Sequence, residues 1–209
     1  MIQVEQVGVV SGGVALLEPV SLDVSRGEAL IVRGSNGAGK STLLRVLAGA
    51  RTPTSGSARI ADTVVTEGDR MLRRRVSTMI GLPPTAVDLT VRDHVLLVAT
   101  TWVDDGDAAA ELADGVLAEL GIDWLGERYP HELSSGQTQL FGLALVLARP
   151  FDVLILDEPE QRLDPEHVDA VIEVLRARRE AGATLVIATH SAVLADALAD
   201  QTVVLKRAA

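Results

Sequence analysis

Short apolar runs of strand length alternate along the chain with longer amphipathic stretches. Ala29-Leu30-Ile31-Val32 reads as a buried strand, and Val153-Leu154-Ile155-Leu156 has the continuous apolar character of a parallel sheet interior. Thr184 to Ala188 and Thr202 to Leu205 read as further strands, with shorter ones at Ser57 to Ile60 and Val76 to Ile80. Nearer the N-terminus, Ile2, Val4 and Val7 to Val10 have strand character, and Ser11-Gly12-Gly13 turns the chain. Val20, Leu22 and Val24 then alternate with Ser21, Asp23 and Ser25, the period of a half-buried strand. Helical patterns cover Thr42 to Ala48, Thr90 to Thr101, Asp107 to Leu120, Ser135 to Ala148, Pro165 to Ala181 and Ser191 to Ala199. This alternation predicts a mostly parallel sheet covered by helices, with a helical insertion at about residues 82–148.

Composition narrows the picture. At 209 residues and 47% hydrophobic, the chain can bury a real core, and its length suggests one domain with an inserted subdomain. Leu140 to Ala148 is among the longest apolar runs, far short of a membrane span, and no signal peptide is expected at the start. Cysteine is absent, which removes disulfides and thiolate metal sites. The net charge of −10 and an aromatic content of 2% argue against nucleic acid as a partner, which calls for a basic face or a stacking platform. Arg70, Arg73, Arg74 and Arg75 form a basic cluster that reads first as a solvated helix face and second as a binding patch. The expectation is a soluble, cytoplasmic protein.

The strongest chemical signal is Gly34-Ser35-Asn36-Gly37-Ala38-Gly39-Lys40-Ser41, with Thr42 behind it. It fits the phosphate-binding pattern G-x-x-x-x-G-K-[ST] at every fixed position, between a predicted strand and a predicted helix start. Glycines let the backbone curl so that successive N–H groups face phosphate oxygens, and the helix N-terminus adds favourable partial charge. Lys40 can then reach the β- and γ-phosphates, and the Ser41 hydroxyl can ligate Mg²⁺. The plainer alternative is a glycine turn that merely opens a helix. Asp157-Glu158 follows the apolar run at Val153, where a central strand ends toward a ligand crevice. Beside a phosphate loop, Asp157 can hold Mg²⁺ through its water, and Glu158 can polarise an attacking water. Their alternative roles are a helix cap and a surface carboxylate.

Leu133-Ser134-Ser135-Gly136-Gln137 resembles the LSGGQ signature of ABC-type ATPases, and Arg128-Tyr129-Pro130-His131-Glu132 resembles what leads into it. The phosphate loop, this signature, Val153 to Pro159, Leu163-Asp164 and Thr189-His190 stand in that family's order, over essentially the whole chain. The resemblance implies a P-loop NTPase α/β core with an antiparallel β portion at the N-terminus and a helical subdomain, forming one ATP-binding domain over residues 1–209. It implies that Gly34 to Thr42 cradle ATP, that Ser41 and Asp157 serve Mg²⁺, and that Glu158 is the general base. His190 would contact the γ-phosphate, and Asp164 would lie at a subunit interface. Ser134, Ser135, Gly136 and Gln137 would close the site of a second subunit, in a homodimer or heterodimer holding two ATP molecules.

The implied function is ATP hydrolysis that drives transport through a separate transmembrane permease, with this chain at the cytoplasmic face of the membrane. A soluble ABC-type ATPase without a transport role, or an ATP-dependent clamp with little hydrolysis, are the alternatives. Several positions depart from the family pattern. Gly81 stands where a metal-touching glutamine is usual, and no aromatic lies near Val10 to stack on adenine. Ser135 replaces the first signature glycine, and Gln161-Arg162 replaces small residues. Weaker ATP affinity and poorer discrimination against GTP are expected from the missing aromatic.

Overall fold

Strand β3 (Ala29–Arg33) shows how the apolar pattern sets the architecture. Ala29 to Val32 are essentially inaccessible to solvent, as a strand covered on both faces must be. In the computed structural model, which describes residues 1–207, β3 belongs to a five-stranded parallel sheet. The other members are β6 (Val76–Met79), β7 (Val153–Asp157), β8 (Thr184–Ala188) and β9 (Gln201–Val204), in the order β6-β7-β8-β3-β9. A second, antiparallel sheet has the order β2-β1-β4-β5, from β1 (Ile2–Ser11), β2 (Val14–Val24), β4 (Ser55–Ile60) and β5 (Thr63–Val64). The expected α/β class with an antiparallel N-terminal portion is therefore the fold observed.

Both sheets lie in one compact unit, formed by Met1–Ile80, Phe151–Glu158 and the residues from Ala177 on. Its core joins Ile2, Val4, Val7 and Val9 of β1 to Leu43, Leu44 and Leu47 of helix α1 (Lys40–Leu47) and to Val153, Ile155 and Val186. Helices α2 (Arg70–Arg75) and α7 (Ala192–Leu198) complete it. On α2 only Leu72 is buried, and the four arginines are exposed, so the solvated reading of that cluster fits. Arg73 donates to the Gly68 carbonyl and Arg75 pairs with Asp152 at 3.5 Å.

A second unit comprises Gly81–Pro150 and Pro159–Arg176. It holds α3 (Val91–Thr100), α4 (Gly106–Glu119), α5 (Ser135–Leu147) and most of α6 (Pro165–Glu180). Thr90 and Asp93 form a reciprocal cap at the start of α3, and Asp105 caps α4. Arg92 grips Asp114 with two hydrogen bonds, of 2.6 and 2.8 Å, tying α3 to α4. That guanidinium holds the Asp114 carboxyl below its usual range, and the carboxylate in turn raises Arg92. Helix α5 is apolar on nearly every side and buried from Gln139 onward, with the His94 ring edge-on to Phe141 at 5.4 Å. Among the described residues no helix is long and apolar enough to cross a membrane.

The structure extends or trims several predicted elements. Alternation from Val20 marks only the second half of β2, whose first half carries Glu18 and Pro19. Proline is tolerated there because β2 is an edge strand, where a missing N–H costs no ladder bond. The hairpin β4–β5 is joined by Ala61-Asp62, both at positive φ (47° and 64°), the signature of a type I′ turn.

Candidate nucleotide site

The parallel order β7-β8-β3 brings the ends of three strands to one edge of the sheet. Chain leaving β3 forms the loop Gly34 to Gly39, chain leaving β7 carries Glu158, and chain leaving β8 carries His190. The loop is held tightly at both ends. At Gly39, with φ of 94°, a Cβ would stand 2.6 Å from the Leu16 carbonyl oxygen of β2. At Gly34, with φ of 149°, it would stand 2.8 Å from the Leu205 carbonyl oxygen. Only glycine satisfies both the backbone angle and the space, which gives these two motif positions a physical cause.

Helix α1 starts directly at Lys40, and the Leu43 N–H bonds the Gly39 carbonyl at 2.8 Å. Lys40 is buried; its ammonium donates to the Gly34 carbonyl at 3.0 Å and lies 2.9 Å from His190 Nε2. Glu158 Oε1 lies 3.5 Å from the same nitrogen. Glu158 itself has φ of 51°, in the left-handed region, and its N–H bonds the Ala188 carbonyl at 2.8 Å. Backbone strain of this kind costs about 1–3 kcal/mol and is concentrated at functional positions. A cavity of about 610 Å³ opens on this edge, lined by Val14 to Leu16, Asn36, Gly37, Gly39 to Thr42, Glu158 and Arg207. All of its lining belongs to the first unit.

Asp157 ends β7, half-buried and opposite Ala188 in the register. Among the described residues no cluster of three or more His, Cys, Asp or Glu side chains could hold a metal. Ser41 and Asp157 nonetheless supply hard oxygen donors, and Mg²⁺ keeps several waters, so few protein ligands suffice.

The remaining candidates fall in the second unit. Ser134 caps α5: its hydroxyl accepts from the Gln137 N–H at 3.3 Å, and the Gln137 side-chain oxygen accepts from the Ser134 N–H at 2.8 Å. Ser134 and Ser135 are exposed at that helix start, whereas Gly136 faces the Arg162 backbone. Asp164 opens α6, accepting from the His167 N–H at 2.9 Å and lying 2.8 Å from its ring. Those two interactions hold the Asp164 carboxyl below the usual range. Arg207 and the Val14 to Leu16 segment carry no motif, and the sequence pattern gives no signal for them.

A family model described as ABC transporter matches residues 17–161. The chain belongs to the ABC transporter family. It is 36% identical over 201 residues to the methionine import ATP-binding protein MetN of Rhodopseudomonas palustris (strain BisB5), covering 94% of this chain and 54% of that protein. It is 33% identical to the arginine transport ATP-binding protein ArtM of Bacillus subtilis (strain 168), covering 96% of this chain and 85% of that protein. The chain thus spans about half the length of the methionine import relative. Its fold matches the dimeric ATP-binding cassette MJ0796, solved in a post-hydrolysis state with ADP and Pi, with a TM-score of 0.89 at 23% identity. That match covers 99% of this chain and 95% of the cassette. In this ABC transporter family member the parallel order β7-β8-β3 accounts for the meeting of Lys40, Glu158 and His190 at one sheet edge.

Proposed function

We propose that this chain is the ATP-binding and ATP-hydrolysing subunit of an ABC transporter, acting as one domain over residues 1–209 with a helical subdomain. The observation that carries the proposal is that Lys40 and Glu158 line one cavity with the phosphate loop, and that His190 lies within 3.5 Å of both side chains. A triphosphate seated there would draw the Lys40 ammonium from its carbonyl partner, because charge-assisted bonds to phosphate are stronger. Glu158 would take the proton of a water attacking the γ-phosphate, and His190 would orient it. Ser41, with Asp157 acting through water, would hold Mg²⁺, which supplies charge neutralisation at the phosphates when bound.

Ser134, Ser135, Gly136 and Gln137 would serve a second subunit's nucleotide, consistent with an exposed, reciprocally capped helix start. Asp164 would lie at the same subunit interface. Relatives similar over most of this chain are named for methionine import and for arginine transport. On this reading cargo would be set by the membrane-spanning partner, a separate permease at whose cytoplasmic face this chain would dock.

The test is Glu158→Gln with sizing in the presence of ATP. Hydrolysis should fall by at least about 100-fold, within the usual contribution of a general base, while binding persists and a dimer accumulates. A strict monomer at saturating ATP, with hydrolysis unchanged, would overturn the reading. Co-purification of a protein with several apolar helices separates transport from a soluble ATPase role.

A further inference from the structure

We infer that Arg207 is the side chain that covers the nucleobase, in place of the aromatic residue missing near Val10; this rests on the nucleotide reading above. The cavity has two chemically different linings. Lys40, Ser41, Thr42 and the loop backbone form a phosphate end. Val14, Ala15 and Leu16 form an apolar lining with no ring, and Val14 is 61% exposed. A purine laid against these side chains would have one face on aliphatic surface and need a flat partner for the other.

Arg207 is the one lining residue from outside the phosphate loop, β2 and Glu158, and its delivery is built into the fold. After β9 the chain stays beside the loop. The Leu205 N–H bonds the Arg33 carbonyl at 2.8 Å, and the Leu205 carbonyl covers Gly34. Arg207, two residues on, is exposed and has no hydrogen-bond or ion-pair partner among the described residues. A guanidinium is planar and stacks on aromatic faces, which an ammonium does not do. The glutamine, serine or aromatic side chains that could otherwise recognise a base are absent from the cavity's apolar side.

The experiment measures binding of ATP, GTP and inorganic tripolyphosphate to the full chain and to Arg207→Ala, Arg207→Lys and Arg207→Trp. A cation over a ring at an exposed site is worth about two- to five-fold in Kd, the loss expected for ATP with Arg207→Ala. GTP should weaken equally, because stacking is tolerant of base identity. Tripolyphosphate should bind the variant as it binds the parent. Arg207→Trp should restore ATP affinity, and Arg207→Lys, which keeps the charge without the plane, should restore less of it, separating a flat surface from a positive charge. Equal weakening of ATP and tripolyphosphate would make Arg207 a phosphate ligand and overturn the inference. Unchanged ATP binding by Arg207→Ala, with the parent binding ATP, would overturn this inference alone. A parent chain that binds neither ATP nor tripolyphosphate would remove the nucleotide reading itself, and this inference with it.

Discussion

Replacing glycine by alanine should have opposite effects in two helices of the same unit. Gly115 lies inside α4, exposed, with no atom within 4 Å of a built Cβ. Gly115→Ala should therefore gain the full helix-propensity difference, about 1 kcal/mol. Gly136 lies in the first turn of α5, where a Cβ would stand 2.8 Å from the Arg162 carbonyl oxygen. That neighbour is backbone, and Arg162 is itself held at a φ of 67°, so it cannot swing aside as a side chain would. Forcing a methyl into such a contact costs roughly 1–3 kcal/mol, which outweighs a propensity gain reduced at the helix end. Circular dichroism melts read the difference directly. For a chain of this size each kcal/mol moves Tm by about 2–4 °C, so Gly115→Ala should rise by that amount and Gly136→Ala should fall. ATPase rate is the second readout: only Gly136→Ala should lower it, because only that residue belongs to the segment proposed to close a second subunit's site. A rise in Tm with both substitutions would refute the steric reasoning, since it would mean that the α5 start has room the geometry denies.

Two further substitutions test positions where sequence and structure bear on one another. Gly81→Gln restores the side chain usual in the family, into open space, but Gly81 has a φ of 80°, so the change should cost about 1–2 kcal/mol of stability. If a coupling side chain is what this chain lacks, permease-stimulated ATPase should rise more than the basal rate; an equal change in both rates would argue for a purely local backbone role. Asp164→Ala should lower Tm at neutral pH, and the loss should shrink as pH falls. The folded carboxyl titrates below its unfolded value, so its stabilisation is present above the unfolded pKa and lost as pH falls through the folded one. Asp164→Asn, which caps as well as aspartate, should keep Tm near the parent value; a melting deficit as large as that of the alanine variant would exclude capping as the cause.

Where period and burial coincide, the sequence was enough. The runs at Ala29 and Val153 are legible as strands because each is apolar without a break, of strand length and flanked by turn residues, as a strand covered on both faces is. The phosphate loop was legible for a related reason: its glycines answer to steric limits at Gly34 and Gly39 that no other residue meets. Elements whose residues obey tertiary context were not legible. Pro19 argues locally against a strand, and only the edge position of β2 reconciles it. The β4–β5 hairpin turns on Ala61-Asp62, without the Asn-Gly or Asp-Gly pair that announces a type I′ turn. Arg207 reaches the cavity because β9 runs beside β3, a pairing that cannot be read from the residue itself.

The arrangement at His190 connects the fold to the proposed chemistry. Lysine's ammonium has only donors, so at 2.9 Å from Lys40 the His190 Nε2 must be the acceptor and the ring proton must sit on Nδ1. Glu158 Oε1, 3.5 Å from that same nitrogen, can then receive no hydrogen bond from it. The ring thus stands between a cation it satisfies and a carboxylate it does not. Withdrawing Lys40 toward phosphate would free Nε2, and the ring could then carry its proton on the side facing Glu158 and the bound phosphate. The same nitrogen would change from acceptor to donor when the loop fills. In the proposed reaction His190 would couple occupancy of the phosphate loop to the hydrogen bonding of Glu158, and the position of β8 between β3 and β7 would allow it.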